Sequence, residues 1–193
     1  MRRRTFDFIL SSVGIMLTVV LVVAGALAMW GYSFANSNVH DQLAAQQIVF
    51  PAKGSDALKP AEIGPYLNQY AGQQMVTGAQ AKAYADHFIA VHLNEIGGGK
   101  TYSQLSTEAQ ANPSDTALAG KVDTMFKGET LRSMLLNAYA FWKIGQIALW
   151  AGIASFILAA IMLVLTLLGF VHQRRTPVEA ELLPGKTASP VAA

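Results

Sequence analysis

Gly99, Lys100 and Thr101 reproduce the last three positions of a phosphate-binding P-loop, where backbone N–H groups cradle phosphate and the lysine reaches it. The motif needs a glycine five positions before Gly99, and Asn94 stands there. It also needs a strand leading in, whereas the residues before Gly97 read as helix. The triplet is therefore expected to be a glycine helix stop followed by a cap. His87, His92 and Glu95 are the residues nearest to a metal-ligand pattern. At 100° per residue, His87 and His92 lie about 140° apart on a helix, too far to share an ion. His92 and Glu95 are neighbours at i, i+3, and His40 is the one further imidazole that could join them. Two scattered ligands do not make a metal site, and nothing resembles the tight HExxH spacing.

Nucleophilic chemistry has no local support either, since no Gly-x-Ser-x-Gly elbow occurs. Asp86, Asp115, Asp123 and Glu129 fall on helix surfaces or helix starts, where acidic residues complement the dipole. Tyr66, Tyr70, Tyr84 and Tyr102 could line a pocket, but tyrosines at helical spacing more often pack. The expectation is a chain with no catalytic residues, no cofactor and no metal. The absence of cysteine removes thiol catalysis, disulfides and iron–sulfur ligation, and leaves the redox compartment open.

The elements that would position these residues are unusual. Charged residues make up 13% of the 193 residues, against about 25% in an ordinary soluble domain. The deficit is concentrated in two charge-free tracts, Phe8 to Val39 and Ile144 to Val171. Roughly 20 apolar residues cross a bilayer core of about 30 Å, so each tract is long enough alone. Arg2, Arg3, Arg4, Arg174 and Arg175 crowd the terminal-side ends of both tracts. The segment between them holds eight Lys or Arg against nine Asp or Glu. By the positive-inside rule both termini are cytoplasmic and the middle segment is translocated. The overall charge of +2 is too small to suggest a nucleic-acid partner.

Met1 to Arg4 resembles the basic start of a signal peptide, and Ala26-Leu27-Ala28 a cleavage site. The apolar run before Ala28 is nevertheless longer than the usual 7–15 residues. Trp30, Tyr32 and Phe34 follow it as an interfacial belt would, so a retained anchor is expected.

Between the spans, helices alternate with breaks. The first span is expected either to continue to Val39 or to break and restart near Ser37–Asp41. Phe50 to Asp56 reads as a loop, and Glu62 to Ala71 as a short helix interrupted at Gly64-Pro65. Thr77 caps a helix from Gly78 to Ile96, and Thr101 with Gln104 forms a capping box. Ser114 caps the next helix, with Gly128 as its candidate break. Tyr84, Phe88 and Val91, and Leu118, Val122 and Met125, recur at i, i+4, i+7 and are expected to form the core. No stretch alternates as a strand does. The predicted fold is all-α: two transmembrane helices with a small extracytoplasmic helical domain inserted between them. The segments are 1–7 cytoplasmic, 8–31 first span, 32–143 extracytoplasmic domain, 144–171 second span and 172–193 a disordered cytoplasmic tail.

Small residues at four-residue spacing let membrane helices approach closely. Ala24 and Ala28, Ala148 and Gly152, and Ala151, Ser155 and Ala159 are the candidate helix–helix contacts. Neither span carries a charged residue or histidine in its core, so no proton relay or ion path is visible.

Val39 to Gln46, Ile63 to Asn68, Tyr70 to Gln74, Ala81 to Ile89, Gly98 to Tyr102 and Leu135 to Ala140 resemble an uncharacterised family of actinobacterial membrane proteins. The resemblance covers nearly the whole chain apart from the tail. It implies two spans and an outer domain, and no established activity. Some members carry a ring-opening dioxygenase label. That chemistry needs two histidines and a carboxylate on a metal in a strand-rich soluble fold, and this sequence offers neither.

Taken together, the residues lead us to expect a non-catalytic inner-membrane protein, an accessory or scaffolding subunit of a cell-envelope complex. Its partners would be the lipid bilayer and other membrane proteins or further copies of itself. Tyr66 and Tyr70, beside the Gly-Pro break, are the candidate docking surface. The alternative is an extracytoplasmic ligand-binding sensor. About twenty residues follow Val171, fewer than a folded output module needs.

Overall fold

The structure, a computed structural model, describes residues 3–177. Its elements are α1 (Arg3–Ala45), α2 (Gly64–Leu67), α3 (Gly78–Tyr84), a wide π turn (Ala85–Ile89), α4 (Ala90–Gly97), α5 (Tyr102–Ala111) and α6 (Thr116–Arg175). Single 3₁₀ turns stand at Asp56–Leu58 and Asn68–Tyr70. No strand occurs among the described residues, only an isolated antiparallel bridge between Val49 and Gln74. The all-α class is therefore as the periodicity predicts. The chain divides into two compact units, Met1–Trp30 with Ala148–Ala193, and Gly31–Ile147.

In the first unit, α1 and α6 are long and apolar enough to cross a membrane. Only 22% and 11% of their most apolar stretches are buried, so neither is the central helix of a soluble core. Large apolar side chains such as Leu10, Met16, Leu27, Ile157 and Leu168 point outward instead. The buried seam is made of small and hydroxyl-bearing residues: Ser11, Gly14, Thr18 and Gly25 on α1, and Gly152, Ala159 and Thr166 on α6. Small side chains at such a seam let the two backbones approach closely.

The second unit has its own core, centred on Phe50, Ile63, Leu67, Met75 and Met125, all nearly inaccessible. Three of these sit in loops or single turns, where no periodicity announces them. A short antiparallel pairing holds them. Phe50 N–H donates to the Gln73 carbonyl at 2.9 Å, and Met75 N–H to the Ile48 carbonyl at 2.8 Å. Phe50 then meets the rings of Tyr70 at 5.3 Å and Tyr84 at 5.4 Å between centroids.

The predicted core stripe needs correction. Met125 is fully buried, but Tyr84, Phe88, Val91, Leu118 and Val122 are half-buried and flank the core. From α3 through α4 the buried face is Ala81, Ala85, Ile89, Leu93 and Gly97, at steps of four. In a regular helix such steps drift about 40° each. The wide π turn takes up that drift and keeps one face turned inward.

Helix ends differ from expectation in several places; Gly64-Pro65 starts α2 and does not interrupt a longer helix. α1 neither ends at Val39 nor breaks near His40; it runs to Ala45 and stops at Gln47, a left-handed residue (φ 53°). The cap of α6 is Asp115, whose Oδ1 accepts the Leu118 N–H at 2.9 Å, one residue past Ser114. Gly128 breaks nothing: a Cβ there would lie 2.4 Å from the Leu93 side chain, so the glycine is where α4 presses against α6. α6 continues to Arg175, which leaves residues 178–193 of the expected disordered tail outside the described residues.

Candidate functional site

The residues that suggested chemistry are engaged in structural roles. Gly98 and Gly99 adopt left-handed conformations (φ 60° and 79°) that end α4. Lys100 Nζ donates to both Glu108 carboxylate oxygens at 2.7 and 2.8 Å, and Thr101 forms its capping box with Gln104. His40 pairs with the neighbouring Asp41. His92 Nδ1 lies 2.7 Å from the Phe88 carbonyl oxygen, to which it donates as a ring N–H. Among the described residues no three His, Asp or Glu side chains come together.

Asp86, in the π turn, accepts from Lys82 Nζ and lies 3.5 Å from Arg132 Nη2, while Arg132 Nη1 also reaches Glu129 at 3.4 Å. Burial opposes ionisation of the Asp86 carboxyl. The hydrogen bond and charge of Lys82, with the charge of Arg132, outweigh it and hold the carboxyl below its ordinary range. Burial pushes the Tyr84 phenol up. These groups tie α3 and the π turn to α6.

The candidate helix–helix residues divide. Gly152 is buried: a Cβ there would meet Met29 at 3.1 Å and the Gly25 carbonyl at 3.2 Å. Ala159 is buried in the same seam, Ala28, Ala148 and Ser155 are half-buried, and Ala24 and Ala151 are exposed. The closest approaches lie elsewhere. A Cβ on Gly14 would sit 2.3 Å from Thr166 Oγ1, and one on Gly169 2.6 Å from Ser11 Oγ. Serine and threonine among glycines were the available signal for this seam, and a search for alanine pairs passes over it. Thr18 satisfies its hydroxyl on the Gly14 carbonyl at 2.8 Å, so burial leaves it no unpaired donor.

The two tyrosines expected to form a docking surface also part company. Tyr66 is 47% exposed and stacks flat on His87, with centroids 3.5 Å apart and planes 4° from parallel. Tyr70 is half-buried and packs on Phe50 inside the core.

One site was missed in the sequence. In the second unit, α1 and α6 flank a cavity of about 400 Å³. Its floor is Val39, Leu43, Leu135 and Ala138; Asn38, Gln42 and Gln46 line one side, and Leu131, Met134, Asn137 and Phe141 the other. Among the described residues no charged one lines it. The only sequence signal is three amides at i, i+4, i+8, two on α1 and Gln46 just past its end, and this becomes a site only when α6 is laid beside it. A shallower apolar hollow beside the π turn is lined by Tyr84, Phe88, His92, Ile96 and Lys127.

No protein-family model, no curated protein and no solved structure matches the chain.

Proposed function

We propose that the chain is a non-catalytic protein of the inner membrane, an accessory or scaffolding subunit of a cell-envelope complex. Both termini lie in the cytoplasm and the Gly31–Ile147 unit lies outside. The arginines at the terminal-side ends of both apolar helices support the orientation. The resemblance to the actinobacterial membrane family implies the same layout.

The observation that carries the docking role is Tyr66. It is an exposed aromatic whose ring is already fixed by the stack on His87, so little side-chain entropy is lost on binding. Rigid tyrosines of this kind anchor protein interfaces. Tyr66 lies within α2, which at four residues is too short to bury the ring itself.

A photo-crosslinking amino acid at position 66, in native membranes, tests this reading. The expected product is a stoichiometric adduct with another membrane protein, lost when His87→Ala frees the ring. Monomer alone, before and after irradiation, overturns it. A ligand-binding role is the second reading, favoured by the amide-lined cavity.

A further inference from the structure

We propose that the cavity between α1 and α6 binds an uncharged lipid with one hydrocarbon chain and a hydroxyl-bearing head, of the monoacylglycerol type. The volume of about 400 Å³ lies within the range of small-molecule sites, roughly 300–1,000 Å³. Its two sides differ in chemistry. Leu131, Met134 and Phe141 make the α6 side mainly apolar, with Asn137 its one polar residue, and Met134 is 65% exposed on an element where soluble helices place polar residues. The opposite side offers amides only. Gln42 Nε2 donates to Asn38 Oδ1 at 2.8 Å along the exposed face of α1. The pair therefore keeps Asn38 Nδ2 as a donor and Gln42 Oε1 as an acceptor, the complement of a hydroxyl, which both donates and accepts.

Charge selects against other amphiphiles. With no Lys, Arg or His in the lining, a carboxylate or phosphate head finds no counter-ion, and with no Asp or Glu an ammonium head finds none. The route in is short. Phe141 precedes the charge-free tract at Ile144 by three residues, about 4.5 Å of helix.

The test uses the full chain in phosphatidylcholine nanodiscs, because sugar-headed detergents would compete. A photoactivatable monoacylglycerol, and the matched fatty acid as its anionic control, are cross-linked and the labelled peptides mapped. Saturable labelling of the Leu131–Phe141 and Asn38–Gln46 segments is expected, at least tenfold stronger for the neutral probe. Ala138→Trp, which fills the floor, should abolish it without loss of helical circular dichroism. Asn137→Lys, at an exposed lining position, should shift the neutral-to-anionic ratio at least tenfold towards the fatty acid. Equal labelling by both probes, labelling that survives Ala138→Trp in a folded chain, or an unchanged ratio in Asn137→Lys overturns the proposal. So does a chain-to-chain adduct at Met134→Cys that excludes the probe, since a second copy would then fill the cavity. None of these outcomes bears on cross-linking at Tyr66.

Discussion

At the residue scale, Phe50 and Asp86 show how much a position outside any apolar stripe can matter. Phe50 lies in a loop, yet it is buried and its ring contacts Tyr70 and Tyr84. Phe50→Ala should lower the stability of the folded chain by about 3–5 kcal/mol, while Phe126→Ala, at an exposed position, should cost little. Thermal melts of the two variants check this. Asp86 gives a pH signature. Its carboxyl is held below the ordinary value of 3.8 by Lys82 and Arg132 against the cost of burial. The stability it contributes is then fully present above that value and is lost as pH falls through the lower folded-state value. Asp86→Asn should therefore be less stable than the parent near neutrality. The gap between the two should close as pH falls below about 4, in melts taken across pH. A gap that is constant with pH would mean that the charge of Asp86 contributes nothing.

At the element scale, glycines mark where helices press together, and they do not all mark the same thing. Gly78, at the start of α3, would place a Cβ 2.3 Å from the Trp142 Cβ, whereas Gly120 on α6 has no neighbour within 4 Å. Gly78→Ala should destabilise by about 1–3 kcal/mol through overpacking. Gly120→Ala should stabilise by up to about 1 kcal/mol through helix propensity. Denaturant or thermal midpoints of the two variants should move in opposite directions.

The seam of the first unit offers a sharper test. A Cβ on Gly169 would lie 3.8 Å from the Ser11 Cβ, at the mean separation of a disulfide, about 3.8 Å. The chain has no native cysteine. Ser11→Cys with Gly169→Cys should thus cross-link within one chain under mild oxidation in membranes. Adding Gly14→Leu should suppress the bond by holding the backbones apart near Thr166. A bond that forms only between chains would show that the seam pairs different molecules.

At the scale of the whole molecule, the prediction is topological. A reporter fused near Gly98 should read as translocated, and one after Arg175 as cytoplasmic, because arginines crowd only the terminal-side ends of the apolar tracts. A cytoplasmic signal from Gly98 would reverse the assignment and remove the outer-surface role proposed for Tyr66.

The sequence by itself determined the helical class, the two apolar helices, and many of the helix ends. Length of apolar run, absence of alternation, and pairs such as Thr77 with Gln80 and Thr101 with Gln104 act locally, over a few turns. It singled out Tyr66 and Tyr70 together, of which only Tyr66 is exposed. The tertiary structure decided the rest. Phe50, Ile63 and Met75 entered the core through chain reversals that carry no periodic signal. A four-residue spacing became one buried face only because a π turn absorbed its drift. Choosing among the small residues required a partner helix. Gly14, Gly25 and Gly152 met one, while Ala24 and Ala151 did not. The cavity exists for the same reason. Asn38 and Gln42 on α1, with Gln46 just past its end, are an ordinary polar stripe, and they acquire an apolar counterpart only from residues 85 or more positions further along the chain.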